Sequence, residues 1–257
     1  MSNFRQTYED LEPIIKDIVA KVRTVPPDQR PGTAHIDHIA CIMQYVFYTS
    51  LVREWLPNSD ASVLDWGGQH GQLSLLLSRY YQNTTCYVLE GDQYDRNYGL
   101  SDWHRLLGVK GVVRASDPKR IILSQQFDAV ISSGVFEHVT ECGGDERASM
   151  EELHRVVKPG GLLFLWNLPR YFGREFFYPL AGRSGHIRRF RKKEIVDLLQ
   201  TSNFKILYLS THEILPLKVL KVLNHIVAAD RLVYFDYRIS ERLSFLPQNF
   251  TIVARPK

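Results

Sequence analysis

Cysteine is scarce in this 257-residue chain: Cys41, Cys86 and Cys142 stand far apart, with no Cys-x-x-Cys and no paired-histidine spacing. That excludes a disulfide framework and a zinc site defined by spacing, and it suits a reducing compartment. No metal is therefore expected. The sequence also lacks any uncharged apolar run near the roughly 20 residues that span a bilayer. Residues 1–10 are polar, with no apolar segment of a secretory signal. The expectation is a cytoplasmic protein. Strong charge is missing too: the formal net charge is +4, far from the basic domain of a typical nucleic-acid binder. Internal repeats and low-complexity tracts are absent.

What remains has the balance of an ordinary globular protein, 44% apolar and 23% charged, and is long enough for one α/β domain with additions. Leu11, Ile14, Ile15, Ile18, Val19 and Val22 recur at helical spacing and predict an amphipathic helix over residues 8–23. Three prolines and a glycine within residues 25–32 end it. A second helix is expected over about 35–55, with Ile36, Ile39, Met43, Val46 and Phe47 on one face.

From Ser62 short apolar runs alternate with amphipathic stretches. Strands are expected at Val63-Leu64, Thr85–Leu89, Gly111–Arg114, Phe127–Ile131 and Leu162–Trp166, with helices after the first and over 145–157. Such βαβα alternation is the signature of a parallel sheet covered on both faces. Near the end a helix over Glu194–Thr201 leads to a strand at Phe204–Leu209, and the chain closes on Phe250–Ala254. The expected organisation is an N-terminal helical cap (1–60), a Rossmann-like core (61–210 and 249–257) and a mostly helical insertion (211–248) that could act as a lid.

Asp65-Trp66-Gly67-Gly68-Gln69-His70-Gly71 joins the first strand to its helix. A glycine-rich turn there lets a ligand approach backbone N–H groups at a helix start. Glu90 ends the next strand. Then follow Phe127-Asp128-Ala129-Val130-Ile131-Ser132-Ser133-Gly134-Val135-Phe136-Glu137-His138-Val139 and Arg155-Val156-Val157-Lys158-Pro159-Gly160-Gly161. In this order and spacing the chain resembles the class I S-adenosylmethionine-dependent methyltransferases, most of all the branch of quinone-biosynthesis and bacterial small-molecule and sugar enzymes. The resemblance covers about residues 60–210 and the last strand. It implies a mostly parallel seven-stranded sheet with an antiparallel last strand, and S-adenosyl-L-methionine as cofactor.

The resemblance also implies roles. Glu90, with Gly91 beside it, would hold the ribose hydroxyls through charge-assisted hydrogen bonds. Asp65 and the turn residues Gly67, Gly68, Gln69 and Gly71 would lie at the methionine amino group. Ser116 and Asp117 resemble the segment at the adenine amino group, or form an ordinary turn. Ser133, Gly134 and Val135 would face the methionine portion. The family carries glycines at alternate positions after the aspartate, and the second is here Gln69. That residue must either adopt another backbone geometry, helped by Gly68, or crowd the cofactor.

Methyl transfer to a hydroxyl benefits from a general base, and His138 with Glu137, then His186, are the candidates. Glu137-His138 could instead only orient the loop. The aromatic and arginine residues of 168–178 could stack on a sugar ring and bind anions, or merely pack. The basic run Arg188–Lys193 reads as a solvated helix start rather than a nucleic-acid site. The amphipathic 215–226 stretch is expected to cover the core, with membrane contact the lesser alternative. The resulting expectation is an O-methyltransferase acting on a sugar or glycan precursor. The rivals are a non-catalytic assembly subunit on a decayed core and an NAD-dependent oxidoreductase, which would carry Gly-x-Gly-x-x-Gly.

Overall fold

The computed structural model describes residues 3–30, 33–89, 99–117, 119–173, 176, 186–243 and 247–257. They fall into two compact units, one of Met1–Ala61, Gly68–Arg114 and Leu215–Asp236, the other of Ser62–Gly67, Ala115–Ile214 and Tyr237–Lys257. Seven strands are assigned: β1 (Ser62–Trp66), β2 (Asn83–Leu89), β3 (Val112–Ala115), β4 (Phe127–Ser133), β5 (Val157–Pro169), β6 (Phe204–His212) and β7 (Asn249–Pro256). They form one sheet in the order β3-β2-β1-β4-β5-β7-β6. β1 and β4 pair in parallel, as do β4 and β5, whereas β7 runs antiparallel to both β5 and β6. The expected antiparallel last strand is present.

In the second unit the core is built on β4, β5 and β7. Leu162–Trp166 is buried at every position, as are Ala129–Ile131 and Ile252–Ala254. Such continuous apolar runs, rather than alternation, mark strands covered on both faces. One polar knot fastens their starting ends. Ser62 donates its backbone N–H and its hydroxyl to Asp128, both at 2.8 Å, and Lys158 Nζ reaches the same carboxylate at 2.8 Å. Helices α5 (Glu146–Val156) and α6 (Lys192–Thr201) also belong here. Asp145 caps α5 by accepting the Ala148 N–H.

The first unit holds α1 (Phe4–Thr24), α2 (Ile39–Trp55), α3 (Gln72–Ser78) and α4 (Leu100–Leu107), with α7 (Leu217–Leu223) and part of α8 (Ala229–Arg242). α1 begins one turn earlier than apolar spacing predicts. Its first turn adds one buried apolar residue, Phe4, set against Phe47, and Arg5–Glu9 and Gln6–Asp10 pairs at i, i+4 support it. α2 starts later than expected, because His38 caps it by accepting the Ala40 N–H, and residues 33–35 form a separate 3-10 turn. It is also buried nearly all round, from Ala40 to Val52 apart from Gln44, so the one-face reading was too narrow. No helix among the described residues is long and apolar enough to cross a membrane.

Candidate functional site

The turn between β1 and α3 is the segment to which the resemblance assigns the cofactor. Asp65, the last residue but one of β1, is buried. Backbone φ is positive at Gly67 (+79°), Gln69 (+45°) and Gly71 (+83°). Left-handed backbone thus recurs at alternate positions, including the one where the family has glycine and this chain has glutamine. Gly67 cannot be replaced cheaply: a Cβ there would lie 2.4 Å from a Val135 methyl. At Gly71 it would meet Val109 at 2.4 Å.

Gln69 takes the glycine conformation rather than another geometry and leaves its side chain exposed. A non-glycine residue pays about 1–2 kcal/mol for it, so something must hold it. Its carbonyl lies 2.6 Å from Nε2 of buried His104, whose Nδ1 is 2.9 Å from Arg114 Nη2. Arginine only donates. Nδ1 is therefore the acceptor, and Nε2–H donates to Gln69. Neither His104 nor Arg114 was singled out from sequence; a turn residue of the wrong type was the signal to look for a compensating contact.

Two further histidines are buried near the turn. His70 stands edge-on to Trp103, with ring centroids 5.3 Å apart, and His35 lies 5.6 Å from His70. Burial pushes the His70 pKa down to about 3 and that of His35 to about 4. Both rings are neutral at physiological pH.

In the other unit, β4 ends in Ser133 and turns at Gly134 (φ +67°), which donates its N–H to the Trp166 carbonyl. The 3-10 turn Phe136–His138 follows. The three residues expected to act on the acceptor come together here. Glu137, His138 and His186 each offer a ligand-type atom within 4.8 Å of the others. The Glu137 side chain is 1% exposed and that of His138 33%. His138 Nδ1 pairs with Glu141 at 3.0 Å, and its Nε2 lies 4.0 Å from Glu137 Oε1. The His186 ring stands 5.5 Å from that of His138. Arg188, two residues on, anchors this segment by pairing with Glu146 and Glu194.

Sequence reasoning missed the polar line beside that cluster. Asn167 sits in left-handed backbone (φ +56°) at a register shift of β5 against β7. Its Oδ1 accepts from His212 Nε2 at 3.0 Å, while Thr251 Oγ1 donates to His212 Nδ1 at 2.6 Å. Asn167 Nδ2 reaches Ser133 Oγ at 3.4 Å. Burial pushes the His212 pKa down to about 3, so the ring is neutral and its tautomer is set by these partners. Strained polar residues at a strand end are where function concentrates.

Other expected residues are placed as follows. Glu90 and Gly91 lie outside the described residues, as do Arg174, Glu175, Phe177 and Tyr178. Ser116 and Asp117 are exposed, and the Asp117 carboxylate accepts the Lys119 N–H, as in a turn. The basic run is engaged internally. Arg191 donates its backbone N–H to the Glu194 carboxylate at the start of α6, and Arg189 and Arg191 lie over the Tyr171 ring.

This sheet, with its reversed last strand and glycine-conformation turn after β1, defines the class I methyltransferase fold. Residues 42–209 match the family model described as a methyltransferase domain. The chain belongs to that family. It is an S-adenosylmethionine-dependent methyltransferase, and S-adenosyl-L-methionine is its cofactor. The turn fits that group, since all three positions that need left-handed backbone have it.

Solved structures share the fold. An S-adenosylmethionine-dependent methyltransferase from Clostridium acetobutylicum is 12% identical, with a TM-score of 0.53 over 82% of this chain and 92% of that one. A protein named as a candidate sarcosine dimethylglycine methyltransferase from Galdieria sulphuraria is 14% identical, with a TM-score of 0.55 over 85% and 88%. The 4+2 cyclase SpnF is 19% identical, with a TM-score of 0.55 over 98% and 94%. A comparison with proteins of curated function returned no match.

Proposed function

We propose that this enzyme methylates an oxygen of a small molecule, a sugar or glycan precursor, in the cytoplasm. The observation that carries the reading is the convergence of Glu137, His138 and His186 just past β4. In this fold ligands bind beyond the carboxyl ends of the strands. Oxygen acceptors, unlike neutral amines, must lose a proton to become good nucleophiles, and a histidine oriented by a carboxylate is suited to take it. His138 has that arrangement, with Glu141 on Nδ1 and Nε2 directed toward the cluster.

Asp65, the turn 67–71 and Ser133–Val135 are the proposed cofactor residues, with Glu90, Gly91, Ser116 and Asp117 completing the set. The cofactor supplies an activated methyl group; the protein must align it with the acceptor. Tyr171, Phe172 and Phe176 form a cluster of rings with centroids 5.0–6.2 Å apart, and Phe172 is 60% exposed. Exposed aromatic faces beside arginines suit a sugar ring carrying an anionic group. The free cysteines accord with the reducing compartment.

The test is transfer of labelled methyl from S-adenosylmethionine across a panel of sugar nucleotides, lipid-linked glycans, quinone precursors and amines. Label on a sugar oxygen is expected. Label found on nitrogen alone, or on quinone precursors alone, overturns the acceptor assignment.

A further inference from the structure

The same three side chains have the makings of more than a general base. Two imidazole nitrogens and a carboxylate oxygen converge within 4.8 Å. The His138 Nε2 to Glu137 Oε1 separation of 4.0 Å is too long for a direct hydrogen bond. Two ligands each about 2.1 Å from one tetrahedral ion stand about 3.4 Å apart, so a shift of roughly half an ångström would close the pair on a cation. Glu141 supplies the partner that metal-bound histidines habitually have. It pairs with Nδ1 at 3.0 Å, which leaves Nε2 with its lone pair toward the cluster. Glu137 brings a carboxylate oxygen to the cluster from a side chain that is 1% exposed.

We propose that Glu137, His138 and His186 form a binding site for one divalent transition-metal ion. Two histidines and a carboxylate suit zinc, cobalt, manganese, nickel or iron(II) rather than magnesium or calcium. Three protein ligands leave at least one position open, the arrangement of catalytic rather than structural sites. An oxygen of the acceptor would fill it, which favours substrates with a hydroxyl beside a second oxygen. This role for the ion rests on the O-methylation reading; the binding of the ion does not. With the ion bound, the acceptor hydroxyl would lose its proton to solvent at a lowered pKa and His138 would act through the ion; without it, His138 is the base. The sequence concealed the site because His186 is remote from Glu137-His138, and no motif spacing links them.

The experiment uses untagged full-length protein stripped with a chelator and titrated with cobalt(II), then zinc. One equivalent of cobalt should produce visible ligand-field absorption that zinc abolishes. Calorimetry should give stoichiometric zinc binding, weakened at least tenfold by His186→Gln and by Glu137→Gln. Glu141→Gln should weaken it tenfold to a hundredfold. His186 is only partly buried, so its replacement tests the idea even if a Glu137 variant fails to fold. Absence of stoichiometric binding, or binding unchanged in His186→Gln, overturns the proposal. Zinc binding without transfer to any oxygen acceptor would leave the site standing and remove only the acceptor reading. Chelator-insensitive O-methylation by metal-free protein would keep the acceptor reading and remove the ion's part in catalysis, while the titrations alone decide the site.

Discussion

Two groups of histidines sit in different surroundings. His35, His70 and His104 lie in the helix-rich unit, the first two against aromatic rings and His104 buried against the Gln69 carbonyl and Arg114. His138 and His186 lie in the other unit, partly exposed and beside the carboxylates of Glu137 and Glu141. The first setting strips a ring of its charge and uses it as packing or as a fixed hydrogen-bond donor. The second keeps two rings within reach of solvent, with carboxylate oxygens beside them. The residue type is the same; dielectric and neighbours decide what it does.

The largest effect should come from the exposed pair. His138→Asn is expected to lower methyl transfer by about 10²–10⁴-fold, with S-adenosylhomocysteine affinity and thermal stability unchanged. Calorimetry and label transfer on the same preparation would show it. A loss of folding with retained specific activity would place His138 in the structural group and erase the contrast.

Acid should act mainly through the buried rings. The pKa values of His35, His70 and His212 are about 4, 3 and 3 in the folded protein and near 6.5 when unfolded. The unfolded chain therefore takes up protons first as pH falls below about 6.5. Stability is fully present above that value and is lost progressively down to pH 3–4. By pH 5.5 each ring costs about 1.4 kcal/mol, roughly 4 kcal/mol in all. Urea unfolding at pH 7.5 and 5.5 measures it, and a change below 1 kcal/mol would show the rings are not buried neutral.

The contrast was partly legible in the sequence. A mostly parallel sheet is legible in the alternation of strands and helices, and its reversed last strand in the family resemblance, whereas the order of the strands is not. Glu137, His138 and His186 were chosen from motif position alone, and only the fold brings His186 to the other two. Asn167, His212 and Thr251 could not be read. They come from three strands, and their hydrogen bonds depend on a register shift that no local pattern encodes. His104 and Arg114 were invisible for the same reason. They act on a backbone carbonyl, and nothing in their own sequence neighbourhood announces that partner.

Replacing His104 by Phe tests whether a buried histidine can still serve function at one remove. The Gln69 carbonyl and the Arg114 guanidinium would both lose the ring as partner, at a cost of about 1–3 kcal/mol. S-adenosylhomocysteine should bind more weakly, because the turn loses its anchor. Unfolding and calorimetry read the two effects separately, and Gln69→Gly in the same background should restore part of the affinity by removing the strain that needs an anchor. Unchanged affinity in His104→Phe would confine that ring to packing.

Gln69→Gly alone should do least, and the reason is a near cancellation. Glycine takes the left-handed conformation without the steric cost of about 1–2 kcal/mol that glutamine incurs. It also loses about 0.5–1 kcal/mol more conformational entropy on folding. The net gain in stability should stay at or below about 1 kcal/mol. Cofactor affinity should shift less than threefold, because the glutamine side chain is exposed and its carbonyl is already fixed by His104. A tenfold tightening in the glycine variant would mean that glutamine does crowd the cofactor. The turn would then be a degraded one, held in shape by a buried histidine but no longer tuned for its ligand.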